Sequence, residues 1–461
     1  MMTRATGFRM RGWMLAGVAL IALSAAKTGA AQTLEEVLAT AYENNPQIIA
    51  QRALLRSTDE NIAIARSGWR PTVTVNNQIG AATTERQGVR GDPRGTVPRS
   101  STLDVSQPLY RGGRTEAGVR RSRNQIQAER ARLFAVEQAV FLDASTAYFN
   151  LVRDEATLAL RINNVSVLTR QLESTTDQFR VGVVTRTDVS QAEAALAGAN
   201  ADRSAAEGNL TSSRATFQRI VGIVPDRLTP PPAPAALPAA NSEAASMAAT
   251  ANPSVIAARF DSESAKETIE EIRGELLPTV SLTGQLAYRA GQSLATQNSQ
   301  NSAQAVVSMS VPLYESGSVY ARMRQARQIE SQRTAQFELA RRQAVEASAT
   351  AFESLQSTRA RIVALKAQIK ANEIALEGVR QEATVGSRTV LDVLNAEQTL
   401  LNSQVSLVQS QRDELVFSYQ LLSAVGRLTA QGLALPVQLY DFEANFKAVE
   451  NKWFGSELLG E

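Results

Sequence analysis

Apolar residues along the chain change their period several times, and the whole series of changes occurs twice. From Thr33-Leu34-Glu35-Glu36 to Arg66 they recur at helical spacing, indented at Asn45-Pro46. A Thr followed three residues later by Glu is a capping-box signature, so this stretch predicts a helix of about 34 residues. Past Pro71 the period shortens to two. Val73, Val75 and Ile79 alternate with Thr72, Thr74, Asn76 and Gln78, which predicts a strand with one apolar and one polar side. A Gly, Pro and Arg-rich loop runs from Thr84 to Arg99, after which Leu103 and Val105 alternate with Thr102, Asp104 and Ser106. Together they predict a strand hairpin over about 71–108.

Pro108-Leu109-Tyr110 and Gly112-Gly113 close the hairpin, and the 63 residues from Val119 to Val181 contain neither Gly nor Pro. At about 1.5 Å per residue that is a helix on the order of 95 Å long. Leu151, Leu158, Val165, Leu172 and Phe179 recur every seven residues within it, the mark of a coiled-coil seam. The return helix, from about Thr187 to Val221, is shorter, so the opening helix and the return helix are expected to cover the long one end to end.

Every landmark then returns. Asn252-Pro253 lies 207 residues beyond Asn45-Pro46, as Pro278-Thr279-Val280 does beyond Pro71-Thr72-Val73. Val280, Leu282 and Leu286 alternate with Thr279, Ser281, Thr283 and Gln285, and after the loop Arg289 to Ser302 the alternation resumes at Val307, Met309 and Val311. Pro312-Leu313-Tyr314, Gly317 and the heptad Leu355, Ile362, Ile369 and Leu376 all sit 204 residues beyond their counterparts. The turn Val181-Gly182-Val183-Val184-Thr185-Arg186-Thr187-Asp188-Val189 is answered by Val385-Gly386-Ser387-Arg388-Thr389-Val390-Leu391-Asp392-Val393. Gly suits a left-handed C-cap there, and Thr or Asp the next N-cap. One internal duplication with a single length change in the hairpin accounts for all of it. The expected layout is a first repeat at 32–224 and a Pro-rich linker at 225–240. A second repeat at 241–428, with its hairpin at about 278–312, precedes a tail at 429–461 whose sequence carries no pattern.

Residues 1–31 read as a secretory signal peptide: Arg4, Arg9 and Arg11 precede an apolar run from Trp13 to Ala26 and small residues up to Ala31. Their removal takes four basic residues, with Lys27, from a formal charge of +3, leaving −1 and no basic balance to suggest a nucleic-acid partner. The chain has no Cys and no His, which excludes disulfides, thiolate sites, serine-type triads and most catalytic zinc sites. No phosphate-binding glycine loop is present either, so an enzyme, a cofactor and a bound metal are not expected. Four strands of about ten residues, each with one apolar face, fit the segments of a transmembrane barrel. Four strands cannot close, because the smallest barrels have about eight, so the chain is expected to oligomerise to remove its sheet edges.

These residues resemble the TolC-like outer membrane factors, the exit ducts of type I secretion and multidrug efflux in Gram-negative bacteria. The resemblance rests on the opening from Leu34 to Pro46, the prolines bracketing four strands, and Pro108 to Gly113 with its Arg111-Gly112-Gly113-Arg114-Thr115 extension. The 204-residue repeat and Gly386 to Val393 complete it. It implies a mainly α fold with a membrane β-barrel segment: a homotrimer in which twelve strands close in outer-membrane lipid above a tunnel of twelve helices reaching through the periplasm. It also implies an entrance at the helix tips, opened by a periplasmic adaptor and an inner-membrane transporter, either an ABC pump or a proton-driven one. By position, Arg388 and Asp392 match the family's gate residues, with Thr187 and Asp188 as partners of Arg388. Val181, Gly182, Val183 and Thr185, with Val385, Gly386, Ser387 and Thr389, match its adaptor-docking tips. Ala383 and Asn395 depart from the family's latch tyrosine and second gate aspartate. A periplasmic structural coiled-coil protein that spans no membrane is the alternative.

Overall fold

The computed structural model describes residues 32–83, 95–225, 228–231, 234, 237–291 and 299–457. Residues 1–31, expected to be a signal peptide, and the middles of the two strand loops (84–94 and 292–298) lie outside them, as do parts of the Pro-rich linker and residues 458–461. The first half runs through α1 (Leu34–Asn44), α2 (Pro46–Arg66), β1 (Thr72–Ile79), β2 (Ala82–Thr83), β3 (Gly95–Thr96), β4 (Arg99–Arg111), α3 (Arg114–Arg180) and α4 (Arg186–Val221). The second half runs through α5 (Asn241–Ala251), α6 (Pro253–Arg273), β5 (Thr279–Ala290), β6 (Gln300–Ser310), α7 (Ser318–Thr384) and α8 (Val390–Ala424), and ends with α9 (Phe442–Val449).

Local chemistry sets these boundaries. Thr33 and Glu36 close the capping box of α1. Asn45 and Asn252 each cap the next helix, whose first residue is Pro, a position where the missing N–H costs nothing. Each Asn also pins its kink to the end of a return helix: Asn45 Nδ2 donates to the Ile220 carbonyl at 2.9 Å and Asn252 Nδ2 to the Ala424 carbonyl at 3.0 Å. The long helices α3 and α7 have 67 residues each, about 100 Å. They begin earlier than Gly and Pro spacing suggests, because Gly113 and Gly317, both at φ 76°, turn the chain directly into the helix. Gly118 is absorbed inside α3. As expected from the lengths, α3 is covered by α4 towards one end and by α1 and α2 towards the other, and α7 likewise by α8 and by α5 and α6.

The main core lies at the waist, where Leu38, Ile48, Phe141, Phe149, Phe217 and Leu422 pack together. Tyr148 is buried among them, its hydroxyl 2.6 Å from the Thr229 carbonyl and 2.9 Å from that of Gln32. That contact ties the linker to the start of the first repeat. The heptad seam is buried at Leu151, Leu355, Ile362 and Leu376, but it loosens along α3: Leu158 and Val165 are half-buried and Phe179 is 43% exposed. Leu168 and Thr175 are buried instead. A straight helix of 3.6 residues per turn drifts away from a seven-residue repeat, and the burial follows the drift.

The four long strands form one antiparallel sheet in the order β1-β4-β5-β6. Register places Val75, Leu103, Leu286 and Ala303 across one face, and Thr74, Asp104, Gln285 and Gln304 across the other. Asp104 accepts from Gln285 Nε2 at 2.6 Å, Thr102 Oγ1 at 3.1 Å and Asn76 Nδ2 at 3.3 Å, and Gln304 Nε2 bonds Gln285 at 3.0 Å. This polar network spans all four strands. The β4 strand continues past Pro108 to Arg111 across a bulge, whereas β6 stops at Ser310 before Pro312. A bulge absorbs the missing proline N–H in β4, which past Ser106 is paired with β5 alone and follows it to Thr279.

As far as residue 457 the tail is packed against the helices, which its sequence did not announce. Phe446 and Val449 of α9 sit on Ile62, Val119 and Ile126. Asn445 Nδ2 donates to the buried Asp59 at 2.8 Å, while the other Asp59 oxygen has no partner among the described residues. Burial holds the Asp59 carboxyl above its usual range, against the lowering effect of the Asn445 bond and of Arg130. A raised folded-state value means that folding favours the protonated form. The tail's docking is therefore tightest below the ordinary carboxyl range and loosens as pH rises through the raised value. Asp59→Asn should flatten this dependence, measured as hydrogen exchange of α9 amides from acid to neutral pH; an unchanged slope counts against it.

Candidate functional site at the helix tips

Each long hairpin ends in the same chemistry. In the first tip Gly182 takes φ 75°, and its N–H and that of Val183 close onto the carbonyls of Phe179 and Gln178 at 3.0 and 2.9 Å. In the second, Gly386 takes φ 80°, and Gly386 and Ser387 bond Ala383 and Glu382 at 3.1 and 3.0 Å. Left-handed backbone at these positions favours Gly, and it satisfies the last carbonyls of the helix. Thr185 and Thr389 then restart the chain as N-caps. Asp188 Oδ2 accepts from the Thr185 N–H at 2.8 Å and from its hydroxyl at 2.7 Å; Asp392 Oδ2 accepts from Thr389 at 3.0 and 2.8 Å. Both aspartates are thus the third residues of capping boxes. The turns expose Val181 (75%), Val183 (72%) and Val385 (80%). Apolar side chains held this far into solvent on a rigid cap form a ready contact surface.

The charges follow from the same geometry. Bonding to the Thr389 backbone and hydroxyl lowers the Asp392 carboxyl, with a smaller contribution from Arg388. Arg388 Nε donates to Glu382 at 2.8 Å, and Glu382, ahead of Asp392, holds the guanidinium more firmly charged. Arg388 therefore pairs with Glu382 of its own tip, not with Thr187 or Asp188. Leu394, one turn into α8, packs with Leu168 and Ala199 of the first hairpin, and Thr187 stands exposed.

Two pairings here escape a reading by position. Glu382 lies six residues before Arg388, and only the tight turn at Gly386 brings the two together. One layer deeper, Arg380 bonds Glu397 at 2.9 Å across the second hairpin, with the Glu397 side chain only 5% exposed. A basic residue late in one helix and an acid early in the next are the signal for such a pair, and both are visible in the sequence.

The geometry is shared with known proteins. Residues 37–223 and 244–427 match the family of outer membrane efflux proteins, one match to each repeat. The outer membrane efflux protein BepC of Brucella suis is 34% identical over 424 residues, 92% of each chain. The outer membrane protein TolC of Escherichia coli is 27% identical over 432 residues, 87% of this chain and 84% of its own. The alkaline protease secretion protein AprF of Pseudomonas aeruginosa is 26% identical over 415 residues, covering 86% and 84%. Among solved structures, the CmeC outer membrane channel of Campylobacter jejuni superposes with a TM-score of 0.77 at 17% identity over 91% of this chain and 89% of its own. The fold, the duplicated architecture and the sequence similarity along the whole length agree: the chain belongs to the outer membrane efflux protein family, a non-enzymatic channel family of the Gram-negative outer membrane.

Proposed function

We propose that three copies of this chain close into one passive duct from the periplasm through the outer membrane, gated at the helix tips and filled by an inner-membrane pump through a periplasmic adaptor. The observation that carries this reading is the open sheet. Its edges, β1 and β6, have no partner strand among the described residues, and the apolar face exposes Val75 and Leu286, with Leu103 between them half-buried. Unpaired edges in lipid are prohibitively unfavourable. Pairing β1 of one copy with β6 of the next removes every edge once three copies have closed, with the apolar face towards lipid and the Asp104 network towards water.

At the other end, Asp392 from three copies forms an acidic ring that favours cations. Arg388 is the switch. In the closed duct it leaves Glu382 for Thr187 and Asp188 of an adjoining hairpin, and the adaptor, docking on Val181 to Thr185 and Val385 to Thr389, returns it to Glu382. Relatives named for efflux and for protease secretion share the duct, so cargo is selected at the pump.

Mass measurement in mild detergent should find three chains per particle, and fractionation should leave the protein in outer membranes after carbonate washing. A monomer that carbonate releases would instead fit the periplasmic coiled-coil reading.

A further inference from the structure

The C-terminal segment follows α2 along its full length and in the same direction. Tyr440 N–H bonds the Tyr42 hydroxyl at 3.0 Å, with Arg52 between the two rings at 4.5 and 5.1 Å. Asn445 then meets Asp59, and Glu450 meets Arg66 at 2.5 Å. Finally Arg70 Nη1 donates to the Lys452 carbonyl at 2.6 Å and its guanidinium lies 4.9 Å from the centre of the Trp453 ring. The partners climb from residue 42 to residue 70, so residues 440–453 run from the waist to the start of β1 at Thr72.

What it delivers there is apolar and uncovered. Trp453 is 62% and Phe454 89% exposed. They join other exposed rings and apolar side chains at the helix-side end of the sheet: Trp69 before β1, Tyr110 near the end of β4, and Leu313 and Tyr314 just beyond β6. Leu313 is 94% and Tyr314 86% exposed. Aromatic rings gather where a barrel's apolar band meets the headgroups, since an amphipathic ring suits that boundary. Arg70 and Lys452 beside the Trp453 ring supply positive charge at the level of lipid phosphates.

We infer that residues 440–454 are a strap that seats Trp453 and Phe454 in the phospholipid headgroup region on the periplasmic side of the outer membrane, extending the barrel's aromatic girdle beyond its strands. The occupant of this surface is phospholipid, because the patch is continuous with the lipid-facing side of the sheet and is flanked by cations. The inference rests on the barrel reading proposed above.

Tryptophan fluorescence tests it without disturbing the fold. The chain has three tryptophans, Trp13, Trp69 and Trp453, and the first lies in the leader. In the processed protein Trp69→Phe leaves Trp453 as the sole reporter, and Trp453→Phe leaves Trp69. Both variants are reconstituted as full chains into phosphatidylethanolamine and phosphatidylglycerol vesicles containing lipids brominated near the glycerol end or near the methyl end of the acyl chain. Trp453 should be quenched by the shallow bromines more than by the deep ones and be shielded from aqueous iodide. Arg70→Ala, which releases the ring, should restore iodide access while the Trp69 signal stays unchanged. Quenching of Trp69 with Trp453 open to iodide and untouched by either lipid overturns the strap alone. Neither residue quenched by lipid overturns the strap together with the barrel beneath it.

Discussion

Alanine at Gly112 lowers the melting temperature of the assembled protein far more than alanine at Gly386, although both glycines take left-handed backbone. Their φ values are 66° and 80°, and that strain alone costs roughly 1–2 kcal/mol with a side chain present. Around Gly386 a β-carbon meets nothing within 4 Å. At Gly112 it would overlap the Gly274 carbonyl oxygen, and one on Gly274 would lie 2.5 Å from the Gly112 oxygen. Here the corner between β4 and α3 crosses the corner between α6 and β5, backbone against backbone, where sheet passes into helices. Overpacking of a rigid site adds typically about 1–3 kcal/mol, and here the neighbour is main chain that cannot rotate away. Thermal unfolding in detergent, read by circular dichroism, should rank Gly112→Ala well below Gly386→Ala and wild type. Equal losses would mean that the two corners are not in contact.

The second large effect is on conduction. Arg388→Ser should raise single-channel conductance, because under the proposed gating it removes the side chain that would pair with Thr187 and Asp188 when the duct is closed. Glu382→Gln should act in the opposite direction. It takes away the partner that holds Arg388 in its own tip, 2.8 Å away, and so leaves the arginine for the closed-state contacts. A single exposed pair contributes little, so the size of both effects depends on three copies switching together. Asp392→Asn separates charge from structure, since an amide oxygen can still accept from Thr389 as the carboxylate does. It should reduce cation preference by roughly twofold or more, the effect of neutralising a ring of charge at a constriction, with conductance near that of wild type. If Arg388→Ser and Glu382→Gln shift conductance in the same direction, the switch between partners is wrong.

Much of this fold is legible in the sequence because its signals are periodic. Alternation at Thr72 to Ile79 and at Thr279 to Leu286 yields strands in their observed register, since a slip of one residue would turn every valine to the polar side. Repetition at 204 and 207 residues locates both tips and both Asn-Pro kinks, while the choice between Thr and Asp as N-cap is settled by the structure, in favour of Thr185 and Thr389. Contacts set by geometry rather than by period are not legible. Glu382 becomes the partner of Arg388 only through the turn at Gly386. The tail lacks any pattern because it is not a repeat but a strap: Tyr440, Asn445, Glu450 and Lys452 each meet a different residue of α1, α2 or the turn into β1. Along α3 the heptad names Val165, which stays half-buried, while Leu168, three residues on, is covered. Helix geometry, not sequence period, decides which face is buried there.

Current through the wild-type protein in a planar lipid bilayer tests the duct most directly. Purified protein added to one side should insert and give discrete, cation-preferring current steps that larger cations of higher charge block from the side where the helix tips lie. Insertion of intact protein without any current above the bare bilayer, in wild type and in Arg388→Ser alike, would contradict a duct gated at its tips.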